Sequence, residues 1–487
     1  MSAPEQLHHD DMQHTLRDVQ ALLARQKLEE DLIHRQDLHK HEDRRELVEN
    51  LAHKQNVARI SDKLSGLHPA DIAFILEALP VDDRLFVWDL VRSADTDIND
   101  GEVLLEVSDA VRESLIEAMA PAELVAAAEN LDTDELADLA PDLPKQVMDD
   151  IYLGLDTEER ERLRAAMSYE EDAVGALMDF EMVSVREDVT LEVVLRYLRL
   201  FDELPDHTDQ LFVVDREERL LGVLPLQRLL VNDPDTQVGD LMLTDTLTLH
   251  PGDKADDAAK AFERYDLVSA PVTSRDRKLI GRMTVAAVVD FIREKSEAEL
   301  LGQAGLKEEE DIFAPVWDSV KNRWSWLAVN LVTAFVASRV IGAFEGSIEK
   351  LVALAALMPI VAGIGGNSGN QTITMIVRAI ATGQMPPDML RRLLHKEMAV
   401  ALLNGLFWGG LLGLLACVLY RSWSLGLVMT LAMALNLLLA AFMGVMIPLT
   451  MQRLGRDPAV GSSVLITACT DSGGFFIFLG LATLLLI

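Results

Sequence analysis

Cysteine is almost missing from this chain: Cys417 and Cys469 are the only two in 487 residues, and both lie in apolar runs. They can build neither a disulfide framework nor a thiolate zinc site, and a reducing cytoplasmic face fits them. Basic residues are short as well, 44 against 79 Asp and Glu, for a formal net charge of −35. Phosphate binding needs a positive surface, so nucleic acid is excluded as a partner, while metal cations suit such acidity. Also missing are a Walker loop, HExxH, a nucleophile elbow and a Rossmann glycine run, so the chain does not read as an enzyme. ATP-driven transport lacks its machinery for the same reason. The first residues, Met1 to Asp10, hold no basic stretch followed by an apolar one. No cleaved signal peptide is expected.

What is present is split in two. From Trp324 to Ile487 there are nine Lys and Arg against six Asp and Glu; residues 1–323 carry 35 against 73. An acidic soluble part therefore precedes a membrane part. The latter shows five apolar segments of spanning length, near 325–344, 350–381, 398–420, 424–450 and 459–486, at about 20 residues per span. The second holds Pro359 and a glycine cluster, so a bend or break is expected there. Lys321, Arg323, Arg378, Arg391, Arg392, Lys396, Arg453 and Arg456 share the side of the soluble part, and Lys350 and Arg421 fall opposite. The positive-inside rule then puts the acidic domains in the cytoplasm and the C-terminus outside, in a multi-pass protein of the cell (inner) membrane.

Residues 1–60 are polar and read as a solvated helix or a partly disordered arm. Residues 61–170 repeat short helical units that open on Pro or acidic residues, as at Pro69, Pro80, Pro121, Asp132 and Asp156. Acids in the first turn suit the helix dipole, and stacked short helices suggest a superhelical array. From about 176 the pattern becomes strand–helix–strand–strand–helix, twice. The copies centre on the strands Gln210–Asp215 with Leu221–Leu224, and Ser269–Thr273 with Leu279–Thr284. A duplicated unit of this kind, with Leu221-Gly222 and Ile280-Gly281 before its last strand, resembles a tandem CBS pair, first motif 171–239 and second 240–285. Such pairs hold a nucleotide ribose with Thr/Ser-x-x-Asp. Here the positions read Pro225 to Arg228 and Thr284 to Ala287, which counts against adenine nucleotide at this pair.

Within the membrane part the most informative residue is Asp471, a lone carboxylate in an apolar span. It lies fourteen residues past Asp457, or ~21 Å of helix at ~1.5 Å per residue. An unpaired acid at that depth costs on the order of 3 kcal/mol, so it faces a bundle interior or an ion path. The second span carries Gly363, Gly365, Gly366 and Gly369 with Asn367 and Asn370. Two readings stand: close packing through small residues, or a pore wall whose amides and carbonyls meet a cation's hydration shell. Asn330, Asn404 and Asn436 read as interhelical hydrogen-bond partners.

Together these residues resemble the MgtE family of magnesium channels and transporters. The most specific pieces are Pro359 with Gly365 to Gln371, and Asp457-Pro458-Ala459 followed by Thr467 to Asp471. The resemblance implies a multidomain α-helical membrane protein. Its parts are a polar arm (1–60), a cytoplasmic superhelical N-domain (61–170), an α/β tandem CBS pair (171–285), a linker or plug helix region (286–322) and a five-helix transmembrane domain (323–487). It implies a homodimer in the lipid bilayer, Mg2+ as the ion, and Asp471 facing hydrated Mg2+ with Asn367 and Thr467 in support. It also implies closure by cytosolic Mg2+ bridging cytoplasmic carboxylates; the rival reading is a secondary transporter or exchanger of divalent cations such as Mg2+ and Co2+.

On the linker the candidate metal ligands are Asp290, Glu294, Glu297 and Glu299; positions 290, 294 and 297 share one helix face. Relatives commonly carry Asp-Asp where this chain has Ala286-Ala287, and more acids where it has Arg293 and Lys295. Weaker or differently placed gating is the expectation. Asp457 reads either as a further ion-bridging ligand or as the N-cap of the last helix.

Overall fold

A computed structural model describes residues 9–35, 54–93, 98–201, 204–306, 311–381, 390–456, 458 and 461–487. They form two compact units, the first ending at Lys295 and taking in Asp311–Ala314, the second holding the rest.

The first unit opens with α1 (His9–Arg35) and α2 (described over 54–64). Then come the short helices α3 (Pro69–Glu77), α4 (Val81–Val91), α5 (Asp100–Glu106), α6 (Asp109–Glu117), α7 (Pro121–Ala128), α8 (Thr133–Leu139), α9 (Lys145–Gly154) and α10 (Thr157–Ala166). Helix α1 is more than a solvated arm. Met12, Val19 and Leu23 recur at helical spacing and are buried in one core with Ile60, Leu64, Ile72 and Trp88. Starts are set locally: the Asp156 carboxylate accepts from the N–H groups of Glu158 and Glu159, and Glu159 accepts from the Asp156 N–H.

Two buried arginines show the internal repeat of this array. Arg84 Nε donates to the Leu76 carbonyl at 2.9 Å and Nη2 to Leu79 at 3.1 Å. Arg112 does the same to Leu104 at 2.8 Å and Val107 at 3.3 Å. Each thus satisfies carbonyls at the end of the preceding helix and turns to an acid. Arg112 meets Asp142 at 3.1 Å, whereas Arg84 forms a fork with Asp311, at 2.7 and 3.1 Å. Arg84 is fully buried, so breaking this pair is expected to cost about 3–5 kcal/mol. Arg84→Met should lower the first thermal transition of the full-length protein by about 6 °C or more, given ~2–4 °C per kcal/mol for a unit of this size. An unchanged transition would show that the pair adds nothing.

The α/β part contains β1 (Ser184–Arg186), α11 (Leu191–Leu198), β2 (Gln210–Val214), β3 (Leu220–Pro225), α12 (Leu226–Val231), α13 (Val238–Leu241), α14 (Ala255–Tyr265), β4 (Ser269–Thr273), β5 (Leu279–Thr284) and α15 (Val285–Ala304). β1 pairs parallel to β2, which pairs antiparallel to β3; β4 and β5 form the matching hairpin. The first strand expected in the second copy, at 246–249, is reduced to one parallel bridge, Leu249 to Val272. The copies touch at equivalent positions: Ser269 Oγ donates to Asp209 at 2.5 Å, and Lys278 Nζ to Glu218 at 2.8 Å. Glycine is required in the repeated motif because backbone crosses there. A Cβ on Gly222 would lie 2.4 Å from the Leu243 carbonyl, and one on Gly281 2.9 Å from that of Asp179.

In the second unit, α16 (Val316–Ala343), α19 (Leu390–Tyr420), α20 (Trp423–Arg453) and α21 (Ser462–Leu486) are long and apolar enough to cross a membrane. Four such helices are found among the described residues. Between α16 and α19 lie the short α17 (Glu345–Lys350) and α18 (Ala353–Ala381). α18 has the length of a span, but Asn367, Ser368, Asn370 and Gln371 interrupt its apolar run. The break expected in it is absent: the helix runs unbroken through Pro359. No glycine of the 363–369 cluster has positive φ, and Gly365, Gly366 and Gly369 lie against neighbouring helices.

Candidate metal-ion sites

Several glycines of the second unit mark places where helices meet. α18 and α21 run antiparallel: a Cβ on Gly366 would be 3.5 Å from Thr470 Oγ1, and one on Gly369 2.4 Å from Ile466. On α20, Gly444 takes Thr372 of α18 in the same way, at 2.9 Å. At the centre, Asn436 of α20 is fully buried and donates through Nδ2 to the Val361 carbonyl of α18 at 2.8 Å. That is the interhelical role expected of it.

Asp471 is half-buried on α21, one residue past Thr470, and Asn367 follows Gly366 on α18. Both candidates therefore sit one position beyond the α18–α21 contact. Asn367 and Thr467 are exposed on the single chain, and the Thr467 hydroxyl donates to the Ser463 carbonyl at 2.9 Å. Thr467 lies one turn before Asp471, so α21 offers a hydroxyl, a carboxylate and freed surface along one length of helix. Asp457 lies outside the described residues.

The first unit gathers carboxylates in two places. At one, Asp132, Asp134 and Glu135 at the start of α8 face Asp179 and Glu181, which lead into β1, with Glu102 and Asp206 near them. Burial raises all five carboxyls first, and like charge adds to it; Asp134 is pushed up to about 7, with Asp179 its largest charged contributor. One buried cation answers them, Arg282, paired with Asp179 at 2.7 Å and donating to the Asp206 carbonyl at 2.7 Å.

At the other place, Glu294 of α15 is raised by desolvation and then by Asp138 and Asp109 of the helical array, with Asp290 adding. Asp138 is raised in turn, burial first, with Asp109, Asp142 and Asp290 adding. Of the four acids expected on α15, Asp290 and Glu294 thus join carboxylates of another domain. Glu297 and Glu299 belong to the second unit. Asp290 lies 3.9 Å from Arg293, and Lys295 is held by Asp256 at 2.5 Å. The interleaved cations are thus turned to local partners.

Among the described residues no three His, Cys, Asp or Glu side chains converge closely enough to hold a metal ion as they stand. The clusters are instead concentrations of negative charge with too few cations. Such groups suit a divalent cation, which lowers their repulsion and restores their ionised forms.

Three family models match the chain. The divalent cation transporter model MgtE covers 358–481, the MgtE intracellular N domain covers 67–172, and the CBS domain covers 174–233 and 238–294. The chain is 33% identical over 439 residues to the magnesium transporter MgtE of Thermus thermophilus, spanning 88% of this chain and 95% of that one. Identity to the magnesium transporter MgtE of Bacillus subtilis is 25%, over 86% of this chain and 92% of that one. Among solved structures, the cytosolic domain of the Mg2+ channel MgtE in complex with ATP aligns with 50% of this chain and 97% of its own, at 29% identity and a TM-score of 0.44.

Proposed function

The chain belongs to the MgtE family of divalent cation transporters, and from that premise we propose a magnesium-selective channel that passes Mg2+ down its electrochemical gradient into the cytoplasm. Cytosolic Mg2+ closes it. The observation that carries the reading is Asp471, a half-buried carboxylate in an otherwise uncharged helix, beside the α18–α21 contact. Mg2+ gives up water reluctantly and is held through one or two carboxylates while keeping several waters. Asp471 recognises the hydrated ion by charge, while Asn367, Thr467 and backbone carbonyls meet its waters, so pore width sets selectivity.

In this reading α18 counts as the fifth span, and α18 and α21 of two subunits line the path in a homodimer. The exposure of Asn367 and Thr467 on the single chain supports a second copy there. α15 is the linker helix between the CBS pair and the first span. The C-terminus is outside, and the match to an intracellular N domain supports cytoplasmic placement of the acidic part.

For gating, the residues that would hold Mg2+ are Asp132, Asp134, Glu135, Asp179 and Glu181 at the first junction, and Asp109, Asp138, Asp290 and Glu294 at the second. Bound Mg2+ supplies positive charge that draws the helical array, the CBS pair and the linker together. Without it their like charges repel. Glu297, Glu299 and Asp457 remain candidate ligands nearer the membrane.

Flux into proteoliposomes, measured at low and high Mg2+ on the side of the cytoplasmic domains, tests this. Flux that shuts off with Mg2+ on that side is expected; flux indifferent to it discards the gate and keeps the path. The exchanger reading differs in kind, since only a channel gives single-channel currents.

The CBS pair lacks a ribose-binding Asp. Arg228 occupies one such position and donates to the Leu241 carbonyl at 2.7 Å; at the other, the Ala287 N–H donates to Thr284 Oγ1 at 3.3 Å. Ala287→Asp is expected to tighten ATP binding about tenfold or more, the worth of a charge-assisted hydrogen bond of about 1.5–3 kcal/mol. Equal affinity in calorimetric titration of the two proteins would show that ATP, where it binds, does not use this position.

A further inference from the structure

We propose that Asn436 is a positioning residue for the ion path, a spacer whose amide fixes the separation and register of α18 and α21 and so of Asn367 and Asp471. The inference rests on the pore reading above. It begins with what the amide fills. A Cβ on Gly365 would lie 2.2 Å from Asn436 Nδ2; one on Gly474 would lie 2.8 Å from Nδ2 and 3.1 Å from Oδ1. One side chain from α20 thus occupies a notch in each of the two helices assigned to the pore. Gly365 stands two residues before Asn367, and Gly474 three residues, about one turn, after Asp471.

Packing alone does not ask for asparagine here. Its helix neighbours Met433, Leu437 and Ala440 are buried and apolar, and leucine has nearly the same shape without polar atoms. Asparagine leaves Oδ1 buried with no hydrogen-bond partner, a cost that an apolar residue avoids. What the amide gains is the bond from Nδ2 to the Val361 carbonyl at 2.8 Å, which ties α18 to α20 one turn before Gly365. With that bond made, Gly474 rests on the same amide, and the spacing of α18 from α21 follows. A path that recognises a hydrated ion by width depends on that spacing.

The test is the flux ratio of Mg2+ to Ca2+ for the full-length protein in proteoliposomes. Asn436→Leu keeps the bulk and removes the donor; Gly365→Ala keeps the donor and pushes on the amide. Both are expected to lower the ratio about tenfold. Gly365→Ala with Asn436→Ser removes the clash and the amide together, so its ratio should stay as low as that of Gly365→Ala; recovery to the wild-type ratio would show that the amide is not needed and overturns the proposal. Should Asn436→Leu fail to fold, the Gly365→Ala pair still decides the matter. A lowered melting temperature with an unchanged ratio in both single variants overturns the proposal, leaving Asn436 as interhelical glue. Asp471→Asn, run beside them, separates the two claims. Flux indifferent to Asp471 overturns the pore reading, whereas Asp471-dependent flux with an unchanged ratio overturns only the role of Asn436.

Discussion

Asp471→Asn is expected to lower Mg2+ flux about 100-fold or more while the protein stays folded. The substitution keeps shape and removes one charge. A carboxylate about 5 Å from a divalent ion attracts it by several kcal/mol at an effective dielectric of ~20, and about 3 kcal/mol survives desolvation. Each ~1.4 kcal/mol is a factor of ten in rate. Stability should hold or rise, because a lone acid in a span is a burden the fold carries for another reason. Asp471→Glu keeps the charge at a longer reach and should fall between the two. Flux in Asp471→Asn equal to that of the wild type would remove the path from this residue.

Periodicity and composition were enough to read the two-part organisation and the doubled α/β unit. Strands and turns signal strongly, and the motif glycines at 222 and 281 mark where a carbonyl crosses. The second copy's first strand was over-read, since four alternating residues at 246–249 carry the strand pattern but the backbone makes only one bridge. Of the bend or break expected at Pro359, the break is absent: a glycine cluster looks the same in sequence whether it unwinds a helix or lets another helix approach. Asp471 was legible because one charge in an apolar run stands out. The carboxylates at 132, 134, 135, 179 and 181 were not. Asp132 and Glu135 answer each other as a capping box, and an acid that caps a helix reads as a local device. That their helix start faces the entry to β1 is a tertiary fact with no period in the chain. Asp290 and Glu294 could be placed on one helix face, but only folding shows that this face meets Asp109 and Asp138.

Neutralising the first of those junctions should abolish the response to cytoplasmic Mg2+. In Asp132→Asn/Asp134→Asn/Glu181→Gln, three of the carboxylates gathered at this junction lose their charge. The ratio of flux at low to high Mg2+ is expected to collapse from about tenfold or more toward one, because the ion's ligands and the repulsion it relieves disappear together. The same junction predicts a pH effect with a definite sign. Asp134 titrates near 7 in the folded protein against an ordinary value of 3.8, burial being the main cause and Asp179 the next. A raised carboxyl contributes stability that is complete below about pH 4 and is lost as pH rises through 7. In the absence of Mg2+, the first unit should therefore melt lower at pH 8 than at pH 6. Asp134→Asn should recover about 2–3 kcal/mol at pH 8, discounting for partial solvent access. Mg2+ opposes the same charge, so it should raise the melting temperature more at pH 8 than at pH 6, and its binding near pH 7 should release protons. Equal Mg2+ stabilisation at both pH values, with gating intact in the triple variant, would move the sensor to the junction of Glu294 with Asp109 and Asp138. There the charge on α15 acts directly on the helix that precedes the first span.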